Sequence, residues 1–395
     1  MTAFKTLGTV ATYINGRAFK PSEWEQQGLP IIRIQNLTDS NAKYNYSSVE
    51  HDERFRVQYG DLLFAWSASL GAHIWKGKDA WLNQHIFKVI PNENMDKKYL
   101  FYYLSRVVND LYAKTHGSGM VHITKAPFMA TPIPFPSIAE QQRIVTRIEE
   151  LFSELDSAVE TLRKAKQQLE VYRQAVLKEA FDGTLNKFTP QGNGFIGEYI
   201  YPPRYGTSKK CGYLIESESV PVYRIPNIDY NNGCINHDDI KYASFNDREL
   251  DGLKLESGDI LIIRSNGSVS LVGRAAMVQE NDTSGTFAGY LMRLRIVDKT
   301  VMNPQFLLWF LKSHEARIYI ENKAKSTSGV HNINSKEISD LCIPIFTYHE
   351  QCRIIEEIES RISICDSIEK TVNESLQQAE AMRQSILKKA FEGNL

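Results

Sequence analysis

The chain has 395 residues, 42% hydrophobic and 24% charged, with a formal net charge of −1. That is enough apolar material for two to three globular domains with real cores. No apolar run approaches the roughly 18 residues that cross a bilayer, and the opening MTAFKTLGTV lacks a basic-then-apolar signal pattern.

Five cysteines (Cys211, Cys234, Cys342, Cys352, Cys365) form no CxxC pair, which favours a reducing cytoplasm over a disulfide framework or zinc site. The near-neutral total is uninformative about nucleic acid, because a basic groove can be offset by acidic faces elsewhere.

In chain order, residues 1–136 read as a first globular domain. Gly28-Leu-Pro-Ile-Ile-Arg33-Ile-Gln-Asn36 predicts a short strand ending in a turn. The Gly60-Asp61 turn opens an apolar strand that runs into a small-residue loop, Ser67–Gly71. An aromatic-rich helix over Tyr99–Arg106 and a second Gly/Ser loop, His116–Lys125, follow.

Residues 137–182 predict one long helix. Ile144, Ile148, Leu151, Leu155, Ala158, Leu162, Ala165, Leu169, Tyr172 and Val176 recur at alternating steps of four and three, a heptad seam with polar residues between. Ser137 with Glu140 has capping-box spacing, and Gly183 stands where a helix stops. Such a helix is about 60 Å long at 1.5 Å per residue.

Residues 183–346 read as a linker and a second globular domain that echoes the first. Pro221-Val-Tyr-Arg224-Ile-Pro-Asn227 answers the earlier strand and turn, and Gly258-Asp259 again opens an apolar strand, followed by the loop Ser265–Gly273. A helix over Phe306–Lys312 and a loop over Ser326–Lys336 complete the parallel.

Residues 347–395 predict a second long helix, with Ile354, Ile358, Ile362, Cys365, Ile368, Val372, Leu376, Ala379, Met382 and Ile386 as its seam. The segment Ile133–Leu185 matches Ile343–Leu395 without a gap, with about 23 of 53 positions identical. The expected fold class is α+β (mixed α/β). Two related globular domains are separated by two long antiparallel coiled-coil helices, in an internal pseudo-two-fold repeat.

Catalytic chemistry is not legible. Neither GxxxxGK[ST] nor GxGxxG occurs, Asn303-Pro304-Gln305-Phe306 lacks the second proline of an amino-methyltransferase motif, and the histidines lack metal-ligand spacing. No catalytic residue and no metal site is expected.

Several segments together resemble the specificity subunit of type I restriction–modification systems. They are Glu140-Gln-Gln-Arg143-Ile and Glu350-Gln-Cys-Arg353-Ile, the helix ends Arg173-Gln174…Phe181-Asp-Gly183 and Arg383-Gln384…Phe391-Glu-Gly393, and Arg204-Tyr-Gly-Thr-Ser-Lys-Lys210. Cys352 departs from the second glutamine of the first copy.

The resemblance implies a non-catalytic DNA-specificity protein with no cofactor of its own; S-adenosylmethionine would belong to its methyltransferase partners. Each domain would read one half of a bipartite, asymmetric DNA site. Two methyltransferase subunits and ATP-dependent restriction subunits would join it. The other reading is a coiled-coil scaffold with protein-binding ends.

Base readout calls for Arg, Lys, Asn or Gln at base edges, with Ser, Thr and backbone groups on phosphates. Candidates in the first domain are Arg33, Gln35, Asn36, Trp66, Ser67, Ser69, Lys76, His116, Ser118, His122 and Lys125. In the second they are Lys209, Lys210, Arg224, Asn227, Arg264, Ser265, Asn266, Ser268, Arg274, Lys325, Ser328 and Asn332.

Arg33/Arg224 and Asn36/Asn227 recur in both domains, which argues for phosphate contacts or turn structure. Arg264, Asn266 and Arg274 differ from their counterparts and fit readout better. Trp66 reads as core, as a base-stacking ring or as a wedge into a groove. Candidate partner contacts on the helices are Arg143, Arg173, Gln174, Arg353, Arg383 and Gln384.

Overall fold

The computed structural model describes residues 3–39, 41–113, 124–213, 219–327 and 329–395. It divides into two compact units, Met1–Arg163 with Asn373–Leu395, and Lys164–Val372. The fold is mixed helix and strand, with two long helices, Ile138–Phe181 and Tyr348–Glu392.

In the first unit a four-stranded antiparallel sheet runs Ala11–Asn15, Ile86–Pro91, Leu62–Ala65, Gly71–Ile74. Its strand Leu62–Ala65 is buried on both faces, as an unbroken apolar run requires. A second four-stranded sheet contains Leu29–Ile32 and Ala80–Leu82 in parallel. Phe4–Thr6 pairs with Pro132–Pro134 just before the first long helix.

The second unit repeats this plan. Its main sheet runs Arg204–Tyr205, Leu291–Leu294, Ile260–Ile263, Ala275–Met277, Cys234–Ile235, Ile228–Asp229. Gly192–Phe195 pairs with Cys342–Ile345 just before the second long helix.

A buried glutamine fastens each helix start to its domain. The Gln141 carboxamide oxygen accepts from the Asp96 N–H at 2.8 Å, and its nitrogen donates to the carbonyls of Asn94 and Pro136 at 3.0 and 2.9 Å. Gln351 does the same with Asn303 N–H, Val301 O and Phe346 O at 2.8, 2.9 and 2.9 Å. Both side chains are fully buried, so all three bonds replace water. The expected Ser137 cap forms, with Glu140 N–H donating to Ser137 Oγ at 3.4 Å, and the second helix adds a reciprocal box of Thr347 and Glu350.

The far end of the other helix completes each core. Phe391 packs edge-on against Tyr99 and Tyr103, with centroids at 5.0 and 5.1 Å. Phe181 does so against Phe306 and Phe310 at 5.2 and 5.3 Å. These two phenylalanines are 210 positions apart, so one repeated motif fills one repeated socket. Gly183 stops the first helix at φ +85°, where a Cβ would lie 1.9 Å from the Phe188 carbonyl.

The helices run antiparallel where they pair. In the second unit Lys166 meets Glu369 while Arg173 meets Asp366, so partner numbers fall as chain numbers rise. The seam is less regular than the heptads suggest. Ile148, Leu155, Val176, Ile354, Ile358, Cys365, Val372 and Ala379 are buried, but Ala158, Tyr172, Ile368 and Met382 are exposed. A straight 3.6-residue helix drifts from a 3.5-residue pattern, and the outer turns of each helix turn their apolar face to a globular domain instead.

Replacing Phe391 by Ala should destabilise the first unit by about 3–5 kcal/mol. In hydrogen-exchange mass spectrometry protection should fall in Lys97–Ala113 and persist in Pro304–Leu311; Phe181→Ala should reverse the pattern. Loss of protection in both helices from either substitution would contradict this assignment.

Candidate nucleic-acid interface

The recurring Arg-x-x-Asn turn is built the same way twice. Asn36 Oδ1 accepts from Arg33 N–H at 3.0 Å, and its Nδ2 donates to the carbonyls of Ala42 and Lys43. Asn227 accepts from Arg224 N–H at 2.9 Å and donates to the carbonyls of Asn236 and Asp238. Both asparagines are buried and spend their hydrogen bonds on the turn. Arg33 lies over the Trp24 ring at 5.3 Å, whereas Arg224 pairs with Asp239 at 2.7 Å. Hydrogen bonds from Tyr213 and then Arg224 hold the Asp239 carboxyl below its usual range.

In the second unit the two Gly/Ser loops meet. Ser265–Asn266 pairs with Val330–Asn332, which pairs with Lys325–Thr327, so Ser265, Asn266 and Asn332 sit on one small sheet. Arg264 precedes them; its guanidinium lies 4.3 Å over the Tyr205 ring, and Nη1 donates to the Gly289 carbonyl at 3.2 Å. The Tyr205 hydroxyl accepts from Ser335 N–H at 3.0 Å. Asn266 Oδ1 caps Ser268 N–H at 2.8 Å.

Other candidates are engaged by neighbouring protein groups. Arg274 donates to the Ser270 carbonyl and covers Tyr230, and the exposed Lys209 is held by Glu249 and the Ser244 carbonyl. Lys210 is exposed. The backbone of Lys325 is in place but its side chain lies outside the described residues, as does Ser328.

In the first unit Trp66 donates its indole N–H to Asn15 Oδ1 at 3.0 Å and packs against His85 and Phe87. Trp66 is half-buried, so it is partly core and partly surface. Ser67 is buried, whereas Gln35, Ser69, Lys76 and Lys125 are exposed. His116, Ser118 and His122 lie outside the described residues. Ala68 and His85 adopt φ of +59° and +73° beside Trp66, a conformation that non-glycine residues rarely hold and that clusters at functional sites. Asn15, His85 and Tyr290 were not singled out in sequence, because no local motif marks them, and Tyr205 was quoted only as part of the Arg204–Lys210 stretch; strand register brings all four to this place.

The helix residues divide between two grooves at repeat-related positions. Arg383 and Gln384 line one of about 610 Å³ with Phe101, Tyr102, Phe152 and Asp156. Arg383 pairs with Asp156 and lies 4.7 Å over Phe152. Arg173 and Gln174 line one of about 240 Å³ with Tyr230, Trp309, Lys312 and Asp366. Arg173 pairs there with Asp366 and Glu369 at 2.7 and 2.8 Å. Arg143 and Arg353 are exposed and pair with neighbouring glutamates, Glu140 and Glu356.

Aligning the two phenylalanine sockets matches Tyr102 to Trp309 and Ser105 to Lys312. Lys312 is 7% exposed, donates to the Asn231 carbonyl at 3.1 Å and lies over Trp309. Burial pushes its amine down to about 8.

An unfolded lysine titrates near 10.4, so below about pH 8 both states are charged and the folded state bears the desolvation cost. Above that the folded amine is neutral while the unfolded one still binds a proton, and stability rises. Between about pH 7.5 and 9 the second unit should gain about 1 kcal/mol from this group. Guanidinium unfolding at several pH values should show that gain in the wild type and not in Lys312→Met.

Residues 2–170 match the family described as the type I restriction modification DNA specificity domain. The chain is 27% identical to the type I restriction enzyme StySPI specificity subunit of Salmonella potsdam over 98% of its own length and 88% of the relative's. It is also 27% identical to the EcoKI specificity subunit of Escherichia coli K12, with 98% and 88% covered. In fold it resembles a chain from a structure of type I R-M complex assembly and conformational transition. That match has TM-score 0.72 and 20% identity, with 100% of this chain and 98% of that one covered. The HsdS subunit from Thermoanaerobacter tengcongensis matches at TM-score 0.56 and 20% identity, with 100% and 97% covered.

Proposed function

Since the chain belongs to the family of type I restriction–modification specificity subunits, we propose that it reads a bipartite, asymmetric DNA site, one half with each globular domain. Residues 1–136 and 183–346 are the two readers, and the helices of 137–182 and 347–395 set the unread spacer between half-sites. The chain supplies specificity and no chemistry. Two adenine methyltransferase subunits, which carry S-adenosylmethionine, perform the reaction after extruding the target base, and restriction subunits join them for cleavage.

The observation that carries this reading is repetition with local divergence. Both units share the glutamine fastener, the phenylalanine socket and the asparagine turn. They differ in the side chains at the loop ends beside the central strand, where one carries Trp66 and the other Arg264. Shared frames with unlike tips suit two readers of unlike half-sites. The two repeat-related grooves, with Arg383 and Gln384 in one and Arg173 and Gln174 in the other, suit one partner type bound twice.

Footprinting of the complex with its methyltransferase should give two protected patches with an open gap. A single continuous patch, or none, would overturn the proposal. Seven residues removed in phase from each long helix, Thr161–Gln167 and Thr371–Gln377, take out about 10 Å of helix, or about three base pairs of DNA. Mapping of N6-methyladenine should then show a spacer shortened by about that amount; an unchanged spacer would refute the ruler.

A further inference from the structure

We propose that three register-matched side chains form the specificity-determining corner of each unit, Asn15, Trp66 and His85 in the first and Tyr205, Arg264 and Tyr290 in the second, and that Arg264 reads a guanine. The inference rests on the DNA-reading function proposed above and assigns it to particular atoms.

The equivalence follows from strand pairing. Ala65 faces Ile86 and Ile263 faces Leu291, each pair closing the central strand pairing of its main sheet. One residue beyond, Trp66 N–H donates to the His85 carbonyl at 3.1 Å, and Arg264 N–H donates to the Tyr290 carbonyl at 2.9 Å. On the next strand Asn15 faces Phe87 and Tyr205 faces Met292, again matched positions. The side chains meet as well as the backbones, since Trp66 bonds Asn15 and packs on His85 while Arg264 stacks on Tyr205.

The two corners offer different chemistry. Trp66 has spent its one donor on Asn15, so its exposed surface is apolar and suits a thymine methyl or a base face. Arg264 has five N–H donors, and one of them is spent on the Gly289 carbonyl. Its Nε is buried without a partner. It differs from Lys209 and Arg224, which are neutralised by Glu249 and Asp239. The Tyr205 ring, 4.3 Å from the guanidinium, backs it and restrains it for a bidentate contact to guanine O6 and N7. Tyr205 and Tyr290 are 42% and 63% exposed, so the corner reaches the surface. Tyr205 is thus a positioning residue and Arg264 the reader.

The test uses the methyltransferase complex and a DNA library randomised at every position of both half-sites. Arg264→Gln should lower affinity for the preferred site by about 5- to 150-fold and relax one guanine in one half-site only, each good bidentate pair being worth about 1–3 kcal/mol. Tyr205→Leu should relax the same guanine and Tyr205→Phe should not. Trp66→Leu should alter the other half-site.

A uniform loss across all sequences in Arg264→Gln would make the residue a phosphate contact and overturn the assignment; so would an unchanged profile. Should Arg264→Gln fail to fold, Arg264→Lys keeps the charge but loses the fork, and should weaken the guanine preference, whereas a phosphate contact would leave that preference unchanged. If the wild-type complex shows no half-site preference at all, the underlying function is what fails.

Discussion

Each globular core in this protein is incomplete without the end of a distant helix. Phe391 is separated by nearly three-quarters of the chain from Tyr99 and Tyr103, yet the three rings share one cluster. A buried phenylalanine contributes about 1.5–3 kcal/mol, and edge-to-face pairing adds about 0.5–1.5. That is a large share of a marginal fold. Folding of the first unit therefore waits on the last residues of the sequence, a long-range contact of the kind that slows folding.

The fasteners define what the repeat preserves. Gln141 and Gln351 each join the first turn of a helix to the loop before an aromatic-rich helix, with three hydrogen bonds per carboxamide. A carboxamide presents an acceptor and two donors in one plane, so no apolar residue of similar size satisfies the same buried backbone groups. The identical side chain at both positions has a geometric reason independent of any ligand.

Divergence is concentrated elsewhere. Ser105 and Lys312 occupy equivalent helix positions, and the lysine occupies space in the second groove that a serine leaves open in the first. Trp66 and Arg264 differ in the same way on the main sheets. These positions carry no fastener or socket, so substitution there changes a surface without undoing a core.

The sequence alone marked the two long helices, with their starts and stops, and the repeat, because periodicity, caps and ungapped identity are local signals. It also placed Arg264 and Trp66 at matching points after Gly-Asp turns. The recurrence of Asn36 and Asn227 pointed to phosphate contacts or turn structure, and their buried hydrogen bonds decide for the turn. That Lys209 is tied to Ser244 and Glu249 was not legible, because those partners lie in another segment. The seam overstated the burial of Tyr172 and Ile368, since one helix face serves both its partner helix and a domain. Asn15, His85, Tyr205 and Tyr290 joined the candidate site only through tertiary structure. Strand register brings together residues tens of positions apart, and no local pattern encodes that pairing.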